Sequence, residues 1–324
     1  MDYVVYDSSD LHRLQSLNLV DMASDSIIEH GVRLYFSADR LAAQPICIGS
    51  QAIIRSGAVL YGGVKIGSGC EIDHGVVIRD GASIGDHCRI EHGSEVGSSI
   101  SMEEGNHLLP HSVVIGKVQI GRRNVLGPFI TIGSDPQHPD FRHSTGVIII
   151  GDDNVLREYV TVHMPTTDNV TRIGNGCYIM AYNHFPHDVI VQDGVKMAND
   201  CQIGGHTAIM HGAYLGLSCV IHQRITIGPG TMVGMGSVVV KDIPPYVTFV
   251  SGVATKLNYR GALLLERSAS EQRDLLDWYL SQGNEGLNLS PKLCDRWWYA
   301  DMKEFLALSR RKICSLKLEP TLPE

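Results

Sequence analysis

Six of the 15 histidines in this 324-residue chain fall between positions 163 and 222: His163, His184, His187, His206, His211 and His222. Imidazole is the side chain whose proton affinity lies nearest neutral pH, so such a group serves as a general base or as a metal ligand. Asp188 directly follows His187, where a carboxylate can orient the ring of a base. Gly205 has no side chain to screen its N–H from a developing oxyanion. A base and an oxyanion donor close together describe direct acyl transfer, with no covalent enzyme intermediate. Three imidazoles describe a zinc site instead, for which His184, His206 and His211 are the candidates. Taken singly, each histidine is also compatible with a solvated spacer. The choice turns on what holds them.

What holds them is a six-residue repeat. From Ile48 to Ile132 every sixth residue is apolar, the phase resumes at Ile150, Leu156 and Val162, and it runs again from Ile173 to Val239. A period of six fits neither a lone helix nor an alternating strand. It fits a coil of three short sides, with one apolar side chain per hexad directed into a triangular prism. The residue two before it is small in most hexads (Ala52, Ala58, Cys70, Ala82, Cys88, Ser94, Cys177, Cys201, Cys219), so one large and one small side chain per side fill the interior. This predicts a parallel β-helix of hexapeptide repeats, an all-β fold, over residues 46–255; that it winds as a left-handed β-helix is implied by its resemblance to the known hexapeptide-repeat fold, against the usual right-handed crossover rule. Five of the eight cysteines then act as small apolar groups rather than as metal or redox ligands. Glycine often follows the large position, as at Gly49, Gly67, Gly85, Gly216 and Gly228, where the expectation is a corner that needs unusual backbone angles.

One turn of such a coil is three hexads, so Gly205 and Gln223 stack on His187 at steps of roughly 5 Å. His206 neighbours Gly205, and His222 neighbours Gln223. The histidines therefore share one edge of the prism. Two polar interruptions, at 134–149 and 163–172, read as loops on that scaffold. Residues 1–45 show no hexad and read as a cap or an arm. Residues 256–324 read as a helical domain: Ser-Ala-Ser-Glu-Gln-Arg at 268–273 starts one helix, and Ser290-Pro291 opens a second carrying Trp297, Trp298, Met302, Phe305 and Leu306.

Composition narrows the function classes. The hydrophobic fraction of 44% and charged fraction of 19% exclude general disorder. A net charge of −8 without a basic run argues against nucleic acid or an anionic membrane as the main partner. No apolar run approaches the roughly 20 residues of a membrane span. The first residues, Met-Asp-Tyr-Val-Val-Tyr-Asp, do not form a signal peptide, so the expectation is a cytoplasmic protein without membrane insertion.

Several stretches resemble the acyl-ACP–UDP-N-acetylglucosamine O-acyltransferases of lipid A biosynthesis. They are Asn183-His-Phe-Pro-His-Asp188, Gly205-His206, Ile221-His-Gln223, Asp242-Ile-Pro-Pro-Tyr-Val247 with Ala254-Thr255, Arg157-Glu-Tyr-Val-Thr-Val-His163, and Phe305-Leu-Ala-Leu-Ser-Arg310. The resemblance covers about residues 113–312. It implies a homotrimeric enzyme that moves a hydroxyacyl group from acyl carrier protein to a hydroxyl, or an amine, of a nucleotide sugar. No cofactor is implied beyond the phosphopantetheine of the co-substrate. It also implies that His187 is the general base, Asp188 its partner and Gly205 the oxyanion donor. His184, His206, His222 and Gln223 would contact the sugar, the pantetheine arm or the nucleotide. Gln137, His138 and Arg267 fall at further substrate-binding positions. Met235 falls at the family's acyl-length ruler, where a glycine admits a long chain, so a shortened acyl donor is expected.

The chain also departs from the family. Its protruding loop reads Gln137-His-Pro-Asp-Phe141, with Asp140 where a lysine is usual. Arg260 and Ala262 replace the asparagine and glutamate that help hold the acceptor, and Glu266-Arg267 keeps one cation of a basic pair. The acidic carrier would dock on Arg267, Arg310, Arg311 and Lys312. Two other readings remain at this stage. Gly204-Gly-His-Thr-Ala-Ile-Met-His-Gly212 resembles the paired histidines of γ-class carbonic anhydrases, and a non-catalytic β-helix relative would keep the histidines without turnover.

Overall fold

A computed structural model describes residues 3–38, 44–139, 141, 145–167, 169–261, 264, 266–282 and 286–320. Two compact bodies are present, residues 1–171 and 172–324. Asp140 and Ala262, two of the departures named above, lie outside the described residues.

Each body contains left-handed parallel β-helix. In the first, Val59–Tyr61, Val77–Ile78, Glu95–Val96 and Val113–Val114 run along one side in parallel register, Leu60 against Ile78 and Ile78 against Val96. In the second, Val191 pairs with Ile209 and Ile209 with Ile227, so the eighteen-residue step holds there too. Every large inward residue named from the hexad, from Ile48 to Val239, is buried. The inward cysteines Cys70, Cys88, Cys177, Cys201 and Cys219 are buried as well. Burial pushes the Cys177 thiol up to about 11, so it stays protonated and inert at neutral pH.

The glycines that follow the large position are explained differently from the expectation. With the exceptions of Gly127 and Gly133, at φ 101° and 97°, they do not have positive φ. A Cβ on Gly49 would stand 2.6 Å from Ser68 N, and one on Gly216 would stand 2.7 Å from Met235 N. Close approach of the next coil, not backbone angle, excludes a side chain there. The left-handed angle falls two residues later at the corner, and much of the time on residues other than glycine: His87, His111, Asp188, His206 and Arg224 lie at φ 56°, 57°, 60°, 58° and 61°.

The N-terminal segment is also coiled. Met22, Ile28 and Leu34 pair with Ile48, Ile54 and Leu60, so the hexad is present there after all. Additional residues between Ser37 and Ile46 put it out of phase with the rest. Tyr3–Asp7 adds an antiparallel strand on Arg33–Ser37, and a short helix, Leu11–Ser16, buries Leu14.

The second body ends in a hairpin, Val247–Val250 and Val253–Leu257, followed by helices. Ser268 and Glu271 form a reciprocal capping box that starts the helix Ala269–Ser281. The next helix is Tyr299–Leu308, whereas Ser290-Pro291 opens only a single 3₁₀ turn, Pro291–Leu293. The chain then returns as Ser315–Leu316 beside Val253–Ala254. Among the described residues no helix is long and apolar enough to cross a membrane.

In the first body the small inward slot holds asparagine at 106, 124 and 154, all buried. The backbone N–H and the side-chain amide of Asn124 both donate to Asn106 Oδ1 at 2.9 Å. Asn154 does the same to Asn124 Oδ1, again at 2.9 Å. This ladder satisfies polar groups in the middle of an apolar prism. Asn124→Ala removes the acceptor for both Asn154 donors, and the expected loss is roughly 1–3 kcal/mol, read from the midpoint of chemical denaturation.

Candidate active site

The corner at 187–188 and the corner one coil later, at 205–206, hold the candidate site. The Nδ1–H of His187 donates to Asp188 Oδ2 at 2.8 Å. The Asp188 side chain is 0% exposed and that of His187 13%. A neutral imidazole whose proton is held at Nδ1 keeps its lone pair at Nε2, the arrangement a general base needs. Asp188 sits in the left-handed corner conformation, which turns its side chain back toward the preceding residue. Aspartate and histidine tolerate that conformation better than most residues.

Gly205 lies beneath the ring. A Cβ there would stand 2.5 Å from Cε1 and 2.7 Å from Nε2 of His187, so any side chain at 205 would push the imidazole off Asp188. Among the described residues no acceptor takes the N–H of Gly205, while its carbonyl accepts from Arg224 N at 2.9 Å. His206 N–H donates to the His187 carbonyl at 3.2 Å, tying the two corners together. The His206 ring meets that of His187 edge-on, with centroids 5.2 Å apart, and its Nε2 lies 3.6 Å from Asp188 Oδ2.

The remaining sequence-derived positions are placed as follows. His184 is half-buried on a strand and pairs with Gln202. His222 and Gln223 are exposed on the next coil of the same edge, where a Cβ on Gly204 would collide with the Gln223 backbone. His222 Nδ1–H donates to the Gln223 carbonyl at 3.1 Å. Arg267 is exposed; its guanidinium lies 4.6 Å from the Trp297 ring centre and pairs with Glu271 at 3.6 Å. Arg260 is exposed, and Met235 is 74% exposed, so Met235 takes no part in packing the prism. Leu217, Val220, Val238 and Val240 are exposed apolar side chains of the same body. Gln137 and His138 are exposed in the first body.

The zinc set His184, His206 and His211 is not assembled. Among the described residues the metal-competent group is His187, Asp188 and His206, with ligand atoms within 4.8 Å of one another. His211 is engaged by the C-terminal helix instead. Its Nε2 lies 3.5 Å from Asp301 Oδ2, the same oxygen that accepts from the Tyr246 hydroxyl. Gln192 accepts from the His211 N–H at 2.9 Å and donates to Glu304 at 2.7 Å.

Sequence reasoning assigned no role to Asn183, although it stands in the small inward slot two residues before Phe185. Its amide donates to the Met180 and Ala198 carbonyls at 2.7 and 3.0 Å and accepts from Cys201 N at 3.0 Å. It thereby pins the segment that leads into His187. Its place in the hexad was the available signal.

Comparison with known proteins begins with the repeat. Residues 63–98 match the family described as bacterial transferase hexapeptide (six repeats), which places the chain among the hexapeptide-repeat β-helix proteins. The chain is 34% identical over 201 residues to the acyl-[acyl-carrier-protein]–UDP-N-acetylglucosamine O-acyltransferase of Syntrophobacter fumaroxidans, covering 60% of this chain and 78% of that one. It is 35% identical over 164 residues to the Synechocystis protein of the same name, covering 50% of this chain and 59% of that one. The UDP-N-acetylglucosamine acyltransferase from Campylobacter jejuni shares the fold, with a TM-score of 0.62 at 22% identity over 81% of this chain and 99% of that one. The chain belongs to the acyl-[acyl-carrier-protein]–UDP-N-acetylglucosamine O-acyltransferase family.

The hydrogen bond to Asp301 raises the pKa of His211 above the usual 6.5 against an opposing contribution from burial, with Glu304 and Asp193 adding to the rise. A raised folded-state value means that this stabilisation is complete below the unfolded pKa and fades as pH climbs through the folded one. Thermal melting of His211→Gln should therefore show a larger deficit against wild type near pH 5.5 than near pH 8.5. Equal deficits at both would remove the ionic contribution.

Proposed function

We propose that the chain transfers an acyl group from acyl carrier protein to a hydroxyl of UDP-N-acetylglucosamine or a closely related nucleotide sugar. The observation that carries this reading is the His187–Asp188 pair, at 2.8 Å, lying against Gly205 in a chain of this family. His187 Nε2 takes the acceptor's hydroxyl proton as the oxygen attacks the thioester carbonyl. Negative charge develops on the carbonyl oxygen, toward the Gly205 N–H. The C–S bond then breaks, and the imidazolium returns the proton to the phosphopantetheine sulfur. The thioester supplies the leaving group, so the reaction as written needs no cofactor. Its co-substrates belong to the cytoplasm.

Asp188 keeps the imidazole in the productive tautomer. His184, His206, His222 and Gln223 contact the sugar, the pantetheine arm or the nucleotide, and Gln137, His138 and Arg267 complete the substrate contacts. The exposed cations Arg267, Arg310 and Lys312 suit an acidic carrier. Val220 and Val238 face outward in register at 46% and 61% exposure, and such a surface supports association into a homotrimer. Met235, outward on the same body, closes the end of the acyl path and favours a short acyl donor.

Mass spectrometry of a reaction containing UDP-N-acetylglucosamine and mixed acyl carrier protein thioesters tests the reading. An acylated nucleotide sugar is expected, with a rate about 10²- to 10⁴-fold lower in His187→Ala. A product formed equally well by that variant would dismiss His187 as the base. In the same pool Met235→Gly should shift product toward longer chains, and an unchanged distribution would end the ruler role.

A further inference from the structure

The acyl-transfer reading uses Asp188 to orient His187, and His206 to contact substrate. Those three side chains also form the metal-competent cluster of the described residues. We propose that they are an inhibitory binding site for a divalent transition-metal ion of the zinc class, one ion per chain.

The donor set is two imidazoles and one carboxylate, which suits a borderline ion such as Zn²⁺ rather than Mg²⁺ or Ca²⁺. Ligand atoms bound about 2.0–2.1 Å from a tetrahedral ion lie about 3.3 Å from one another. Asp188 Oδ2 lies 2.8 Å from His187 Nδ1 and 3.6 Å from His206 Nε2, so the observed separations bracket that spacing. The carboxylate is fully buried, and the two rings are 13% and 11% exposed. The ion would therefore enter a pocket already poor in water, with one coordination position left for solvent. The framework is rigid: Asp188 and His206 occupy equivalent corners on successive coils, joined by the His206 N–H to His187 carbonyl bond of 3.2 Å. Little ordering is left for the ion to impose.

Binding would invert the state of the base. The ion forms a dative bond to Nδ1 of His187, displacing the proton that Nδ1 donates to Asp188. A neutral imidazole ligated at Nδ1 carries its proton at Nε2, and the lone pair needed to deprotonate an acceptor is gone. This inhibitory consequence rests on the acyl-transfer reading; the binding itself does not.

Titration of the full chain with Co²⁺, without substrates, reads the site directly. A four-coordinate ligand-field spectrum that saturates at one ion per chain is expected, and Zn²⁺ should displace it. Asp188→Asn and His206→Gln should each weaken binding by at least the 10- to 100-fold that loss of even an outer-shell partner costs. His211→Gln should bind as wild type does. Absence of the spectrum in wild type at stoichiometric Co²⁺ would overturn the proposal without recourse to any variant, as would a spectrum that survives in both cluster variants. In the acyl-transfer assay, Zn²⁺ at its binding concentration should stop turnover and a chelator should restore it; binding that leaves turnover intact would overturn the inhibitory role. Should no acceptor be acylated at all, the Co²⁺ spectrum still decides whether the site exists.

Discussion

A parallel ladder that sets each residue against the one eighteen positions on is the constraint from which the site follows. Backbone hydrogen bonds fix the step, and buried inward side chains fix which residue of each hexad faces the prism. A slip of one residue would expose the apolar set and bury the outward one. Because the step is held from Val191 through Ile227, corners on successive coils stack. His187, Gly205 and Gln223 form one column, and Asp188, His206 and Arg224 the next.

The second condition is conformational. Corners require a left-handed residue, and the coil supplies it with glycine at Gly194, Gly212 and Gly230 but with Asp188, His206 and Arg224 on the edge that carries the site. A residue with a Cβ in that region costs on the order of 1–3 kcal/mol. The surrounding ladder offsets that strain. In return the edge presents side chains where the column of Gly194, Gly212 and Gly230 presents bare backbone. Asp188 lies entirely out of solvent and His187 is aimed by it, a degree of preorganisation that a mobile loop would not give.

Much of this was legible in the sequence. The hexad gave the β-helix and its inward residues, because burial in a prism leaves a period that composition cannot imitate. Stacking by eighteen alone brings His187, Gly205 and His206 to one edge. Other features were hidden for identifiable reasons. The N-terminal coil was missed because additional residues before Ile46 break the phase while leaving the pairing of Leu34 with Leu60 intact. The glycines after the large position were assigned to backbone angle, since sequence does not show how near the next coil lies. The zinc reading of His211 failed because its partner, Asp301, is ninety positions away on a helix. Asn106, Asn124 and Asn154 carry no signal of their own in the repeat, because what makes them fit the slot is the hydrogen bonding of each to the next.

A molecule wound in this way keeps count along its chain. Residues added ahead of Asn183 alter how many coils precede the edge but leave the spacing from His187 to Gly205 untouched. A single residue gained or lost between His187 and Gly205 would move every later side chain to the wrong station and part the imidazole from the backbone beneath it. The protein is thus divided by arithmetic into a region whose length does not enter the site's geometry and a short interval whose length sets it.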